Sequence, residues 1–398
     1  MINLEMIIRG KKMLRDVAIK TPMFDSKYIN PDANVFIKCE NMQVTGSFKL
    51  RGAYYKIASL TDAEAEKGVI ACSAGNHAQG VALSAQKRGI PAVICMPESA
   101  PMAKVEATKS YGAQVVLVPG VYDDAAAKAA ELQEEKGYTF VHPFNDEYVM
   151  AGQGTVGLEI LEQVEDAEVV FVPIGGGGLV SGIAYAIKEI NPNCKVYGVQ
   201  AAGAPSMSVS LKKGEVCCLD SVSTMADGIA VKQPGDMTFA VCSEYVDGVV
   251  TVTEDEIATA ILTLIERHKM VAEGAGAVSV AAAMYNKVDI KGKNVVCVVS
   301  GGNVDVKVLD RIIDKALQAN GRITKLSVVV GDKPGELTRL LSAVAKSGGN
   351  IISILHDRMV QELAVSTCVV DLVAETRNKE HSKQVIRDIL DAGFKIRD

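Results

Sequence analysis

The sequence predicts an α/β protein: two open, twisted, mostly parallel sheets with covering helices, followed by a smaller βαββαβ module. Three observations predict it. Apolar runs of strand length alternate with stretches of helical period through most of the chain. The runs are continuous rather than alternating, as in strands covered on both faces. Glycine makes up 35 of 398 residues with no low-complexity segment, which suits many tight strand–helix turns.

The elements follow in order. Val69 to Cys72 is a strand, Gly75 to Gly89 a helix, and Ala92 to Met96 the next strand, closed by Pro97. Ala103 to Tyr111 suits a helix, Gln114 to Val118 a strand, Asp123 to Lys136 a helix, and Thr139 to Val141 a strand. The rhythm continues with Glu168 to Pro173, Leu179 to Ile190 and Lys195 to Gln200, then a helix over Glu254 to Arg267 and a strand over Asn294 to Ser300. It changes after about Thr324. Strands are expected at Lys325 to Val330, Asn350 to His356 and Leu363 to Val373, with helices at Gly335 to Lys346 and Lys379 to Ala392. The implied domains are 1–52 with 149–319 as a large catalytic domain, 53–148 as a small one, 320–324 as linker and 325–398 as a separate tail.

Composition excludes several functions. Net charge is −6, from 42 basic and 48 acidic residues, and no Lys/Arg-rich block occurs, so neither nucleic acid nor an anionic membrane is an expected partner. The nine cysteines contain no C-x-x-C pair, which argues for buried thiols in a reducing compartment and against a disulfide framework or structural zinc. Met1 to Lys20 mixes charges with apolar residues and lacks the apolar core of a signal peptide. Val169 to Ile187 is uncharged, but Pro173 and Gly175 to Gly178 divide it into strand, turn and helix start rather than a membrane span. A cytoplasmic, soluble protein is expected.

Four motifs carry chemistry. In Lys38-Cys-Glu-Asn-Met-Gln-Val-Thr-Gly-Ser-Phe-Lys-Leu-Arg, Lys49 stands at a helix start covering Phe48 to Leu60. The positive end of a helix and an apolar setting both disfavour its ammonium form, as a Schiff-base nucleophile requires. Ser73-Ala-Gly-Asn-His-Ala-Gln-Gly follows a strand directly, so backbone amides near Ser73, Ala74 and Gly75 can meet a carboxylate, with Asn76 adding a donor. His77 fits a structural hydrogen bond better than a catalytic base. Pro173-Ile-Gly-Gly-Gly-Gly-Leu presents Gly175, Gly176, Gly177 and Gly178 before a helix, a phosphate cradle whose spacing is not that of a nucleoside-triphosphate loop. Ser300-Gly-Gly-Asn303 follows another strand, where Ser300 can face the same crevice with a neutral hydroxyl.

Together, and in this order, the four resemble the pyridoxal-phosphate enzymes of fold type II. The chain is most similar to the threonine dehydratase (threonine ammonia-lyase) family, over essentially Met1 to Asp398. The resemblance implies pyridoxal 5'-phosphate held on Lys49, Phe48 against its ring and Asn76 on its phenolic oxygen. It further implies Gly175 to Gly178 on the phosphate, Ser300 at the pyridine nitrogen, and Ser73, Ala74, Gly75, Asn76 and His77 around the substrate. The implied reaction converts L-threonine to 2-oxobutanoate and ammonia, and L-serine to pyruvate. A serine racemase-like enzyme and a non-catalytic amino-acid sensor are the alternatives. Racemases of this type carry a serine where Ala74 stands, and place acidic metal ligands where Gln200 and Ser206 stand, so neither racemisation nor a metal is expected.

The tail resembles an ACT domain through Asp332-Lys-Pro-Gly-Glu-Leu337 and Gly348-Gly-Asn-Ile351. Asp332, Gly335 and Asn350 are its candidate effector residues: a tight turn into a helix start suits a carboxylate, and Asp332 suits an ammonium group. The resemblance implies a homo-oligomer, a tetramer first, regulated by an amino acid such as isoleucine.

Overall fold

The computed structural model describes residues 1–360 and 364–397. The chain forms two compact units, Met1–Asp305 and Val306–Asp398. In the first unit the strands are β1 (Met23–Ser26), β2 (Asn34–Cys39), β3 (Val69–Cys72), β4 (Ala92–Pro97), β5 (Gln114–Val118), β6 (Thr139–Phe140), β7 (Val169–Pro173), β8 (Lys195–Ala201), β9 (Gly248–Val252) and β10 (Asn294–Val299). They make a six-stranded sheet in the order β1-β2-β10-β7-β8-β9 and a four-stranded sheet in the order β5-β4-β3-β6. Every pairing is parallel except β1 with β2.

The Val/Ile runs behave as sequence physics requires. All residues of β3, β4 and β7 are buried, because helices cover both faces of each sheet. Val170, Val172, Val296 and Val298 pack against Ile183 and Ile187 in one core. Ala71 and Ile94 pack against Val81 and Ala85 in the other.

In the first unit two helices of more than ten residues were not among the expected elements, Glu147–Gln163 and Gly274–Met284. The first contains Gly152, Gly154 and Gly157, residues that ordinarily weaken a helix. Here contact explains them: a Cβ on Gly152 would lie 2.6 Å from the Arg51 carbonyl, and one on Gly157 3.0 Å from the Ile183 carbonyl. The missing side chains let three helices approach closely.

At that approach lies a fully buried ionic cluster. Arg51 donates Nε to Glu40 Oε2 and Nη2 to Glu40 Oε1, both at 2.8 Å, and Nη1 to Glu159 Oε1 at 2.7 Å. Lys38 Nζ donates to Glu159 Oε2 at 2.6 Å, and Thr21 Oγ1 donates to Glu40 Oε1 at 2.6 Å. Two cations face two carboxylates, and hydrogen bonds occupy the oxygens of both carboxylates. Such a set holds geometry more than it adds net stability, but removing one member strands a buried charge.

The second unit carries β11 (Ile323–Gly331), β12 (Asn350–Asp357), β13 (Thr367–Glu375) and β14 (Lys395–Arg397), antiparallel in the order β12-β13-β11-β14. The helices Glu336–Lys346 and Lys379–Asp391 bury Leu340, Val344, Val385 and Ile389 against it. The unit begins at Val306, ahead of the linker expected at 320–324. The reason is the helix Val306–Ala319, which packs on β11, itself starting within that expected linker. Leu363, the expected start of the third tail strand, lies outside the described residues, and β13 begins at Thr367.

Arg51→Ala should destabilise the first unit by about 3–5 kcal/mol, because Glu40 and Glu159 lose their shared cation. Burial alone would raise the pKa of Glu40, yet Arg51 beside it holds the carboxyl below its ordinary range. Glu40 therefore contributes stability above the ordinary carboxylate pKa, and that contribution fades as pH falls through the depressed value. Chemical denaturation of wild type and variant between neutral and acidic pH checks both: the gap should be largest at neutral pH and shrink in acid.

Candidate active site

Lys49 is the first residue of the helix Lys49–Ala58. The turn before it runs through Gly46, whose φ of +71° is left-handed and whose position a side chain would share with Asn303. Ser47 then bridges to Gly301, and Phe48 N donates to Ser300 O at 3.1 Å. The first and fourth motifs, far apart in sequence, are thus stitched through their backbones.

Lys49 Nζ donates to the Pro143 carbonyl at 2.7 Å and stands 5.4 Å from the centre of the Phe48 ring. Burial pulls its pKa down to about 8, against the opposing charge of Glu273. Desolvation, one of the two effects expected from the sequence, is the main cause.

The second motif leaves β3 and enters the helix Asn76–Arg88, with Gly75 at its N-cap. Ser73 Oγ accepts from Gly75 N at 3.2 Å, and Ala74 offers only a methyl group. A Cβ on Gly75 would meet no atom within 4 Å, so this turn borders open space. His77 is buried and donates Nε2–H to Val141 O at 2.8 Å. Burial, then the charge of Lys49, lowers its pKa to about 3, which leaves the ring neutral.

Asn76 is held on both sides. Its Nδ2 donates to Glu273 Oε1 at 2.7 Å, and its Oδ1 accepts from Asn303 Nδ2 at 2.8 Å. Glu273 and Asn303 were not among the expected site residues. Glu273 had a signal in the sequence: it is the one charge in the apolar, small-residue run from Met270 to Asn286. Burial, then the charge of Asp227, raises its pKa to about 8.

The third motif joins β7 to the helix Gly178–Ile190, and Gly177 at its N-cap has φ +101°. A Cβ on Gly176 would fall on the Phe144 ring, and one on Gly178 would lie 2.9 Å from the Phe144 backbone. The loop from His142 to Asn145 therefore packs on the glycines and also supplies the carbonyl that meets Lys49. Thr238 Oγ1 donates to the Gly176 carbonyl at 2.6 Å, fixing the loop. Ser300, 2% exposed just past β10, donates Oγ to the Ala275 carbonyl at 3.4 Å.

Gln200 and Ser206 offer no carboxylate. Gln200 Nε2 donates to the Ala204 carbonyl at 3.2 Å, and its Oε1 accepts from Ser208 N at 2.9 Å. The effector residues divide. Asp332 and Gly335 follow β11, whose Gly331 pairs with Thr367 at the start of β13, whereas Asn350 pairs with Glu375 at its end. At ~3.3 Å per residue that strand separates them by about 25 Å, so Asn350 and Asp332 of one chain do not lie together.

The pattern of the family described as "Pyridoxal-phosphate dependent enzyme" matches residues 14–301. The L-threonine ammonia-lyase of Thermotoga maritima is 49% identical over 399 residues, covering 100% of this chain and 99% of that protein. Among solved structures, the processed threonine deaminase isoform 2 of Solanum lycopersicum superimposes with TM-score 0.75 at 40% identity, over 78% of this chain and 92% of that one. Maize serine racemase gives TM-score 0.75 at 37% identity, over 80% and 98%. The family match spans most of the first unit and the Thermotoga relative the whole chain, and the chain belongs to the pyridoxal-phosphate dependent enzymes of fold type II.

Proposed function

We propose that this protein is an L-threonine ammonia-lyase, removing water and then ammonia from L-threonine to give 2-oxobutanoate, and converting L-serine to pyruvate. The observation that carries the reading is the Lys49 amine, depressed to about 8 and 2.7 Å from the loop that packs on Gly176 and Gly178. The residues fit pyridoxal phosphate. A reactive amine, a side-chain-free turn at a helix start and a neutral hydroxyl past a neighbouring strand match its carbonyl carbon, phosphate and ring nitrogen in kind.

Bound there, pyridoxal phosphate supplies the covalent link to the substrate amine and the electron sink for charge developing at Cα. The chain supplies the rest. Lys49 Nζ would hold the cofactor and would accept the Cα proton, and its lowered pKa suits a base working near neutrality. Amides of Gly175 to Gly178 hold the phosphate at the positive end of the helix. The turn Ser73 to Gly75 and the helix start at Asn76 receive the substrate carboxylate. Asn76 Nδ2 spends one hydrogen on Glu273 and keeps the second for the cofactor's phenolic oxygen. Ser300, being neutral, does not hold the ring nitrogen protonated, which favours elimination over transamination. Ala74 carries no exchangeable proton for a second face of Cα, which disfavours the racemase alternative.

The tail is an ACT-like regulatory domain in this reading, acting in a homotetramer. What supports it is the antiparallel sheet with two helices, and the left-handed Gly335, φ +91°, at the cap of Glu336–Lys346 beside Asp332. An amino acid, isoleucine first, is the effector, and Asn350 would join its site only from another copy. A cytoplasmic location completes the proposal.

Lys49→Ala should lose at least about 10³-fold in 2-oxobutanoate formation, roughly 4 kcal/mol of barrier, with its circular dichroism unchanged. Activity within tenfold of wild type sinks the assignment. Because a neutral amine is needed to bind the cofactor aldehyde, the reconstitution rate of apoenzyme should climb with pH and level off above about 8. A climb continuing to the ordinary lysine range would place Lys49 in water. A chain ending at Gly321, assayed beside the full one, should keep turnover and lose its response to isoleucine, valine or other amino acids. Identical responses, or none from either, would remove the regulatory reading.

A further inference from the structure

We propose that the second unit contains a binding site for a borderline-soft divalent cation, such as zinc, cobalt or nickel, formed by Asp332, His356 and Cys368. Their ligand atoms all lie within 4.8 Å of one another, although they come from three separate places: the turn after β11, β12 and β13. Strand register brings them together. Val330 pairs with Cys368, Asp332 N donates to Ser366 O at 2.8 Å, and His356 pairs with Val370, so all three reach the same end of the sheet.

The donor set is one carboxylate, one imidazole and one thiol. Oxygen, nitrogen and sulfur together select a borderline metal over calcium or magnesium, which want oxygen alone. His356 Nε2 and Cys368 Sγ are 3.0 Å apart. Tetrahedral zinc ligands of these kinds lie about 3.5 Å apart, from bonds of ~2.0 and ~2.3 Å, so a small rotation of either side chain admits the ion. His356 and Asp332 are exposed while Cys368 is buried, which gives the ion an entry from solvent and leaves positions for water.

A cation already stands at the carboxylate: Arg358 Nε lies 3.1 Å from Asp332 Oδ2 and 3.2 Å from Oδ1. The metal would displace this guanidinium. Without metal, Sγ is hydrogen-bonded to His356 Nε2 at 3.0 Å and faces Val330 O at 3.4 Å, and the ion takes the place of the contact between the two ligands. Binding takes the proton from the Cys368 thiol, and His356 coordinates through Nε2 with a proton on Nδ1. The site lies beside the effector turn but stands whether or not an amino acid binds there.

The test is titration of full-length holoenzyme with zinc in competition with a chelator, and with cobalt to record the thiolate-to-metal absorption. One ion per chain is expected, with a cobalt–thiolate band. Cys368→Ser and His356→Ala should each weaken binding by more than about tenfold and lose or alter the cobalt band. His356→Ala, on an exposed position, answers for any unfolding of the Cys368 variant. Cys218→Ser, removing the exposed thiol, should change nothing. Arg358→Gln should bind more tightly than wild type. No binding by wild type, equal binding by the Cys368 and His356 variants, or weaker binding by Arg358→Gln overturns the site. Since no readout is enzymatic, it can fail while the lyase assignment stands.

Discussion

The helix that carries the reactive amine is tied down by a buried four-charge cluster around Arg51. Arg51, two residues beyond Lys49, is clamped by Glu40 and Glu159, and Glu159 also holds Lys38 of β2. One buried guanidinium thereby locks the Lys49–Ala58 helix to the central sheet and to the Glu147–Gln163 helix. The cluster costs desolvation, but its hydrogen bonds permit one arrangement only, and a base must stay within fractions of an ångström to work. The glycines at helix contacts serve the same end. Gly52 and Gly152 let backbones meet where side chains would hold them apart.

Above that anchor, electrostatics is set by burial and two partial neutralisations. Lys49 is pulled down and Glu273 pushed up, both mainly by desolvation, and each moderates the other. Between them Asn76 is pinned by Glu273 and Asn303, so its amide has one orientation. His77 and His142, both held neutral by burial and the Lys49 charge, add no competing proton. The result is a site in which Lys49 and Glu273 are both brought to about 8, set among several fixed dipoles. Such preorganisation suits proton abstraction next to a bound electron sink.

The tail follows other rules. Its antiparallel sheet and two amphipathic helices make a core of their own around Leu340, Val370, Leu372 and Ile389. Asp332, His356 and Cys368 gather at one end of that sheet. Backbone register, not sequence proximity, decides which residues share that end: Cys368 and Asp332 do, and Asn350 does not.

The sequence by itself determined the layered α/β class, the strands β3 to β5, β7, β8 and β10, and the four motifs, because apolar runs and glycine-rich turns are local signals. Local too was the expectation that Lys49, Asn76, the Gly175 to Gly178 turn and Ser300 each follow a strand or open a helix. What only the tertiary structure decided came from long-range contact. A glycine-bearing helix is stable because two neighbours need its missing side chains. Glu273 reaches Asn76 across almost 200 residues of chain, with a sequence separation of 197. Asn350 sits apart from Asp332 because β13 runs between them, and the Asp332–His356–Cys368 group exists only through strand pairing. Periodicity reports the environment of one segment, whereas a site is a meeting of segments, fixed by packing and register that no single stretch encodes.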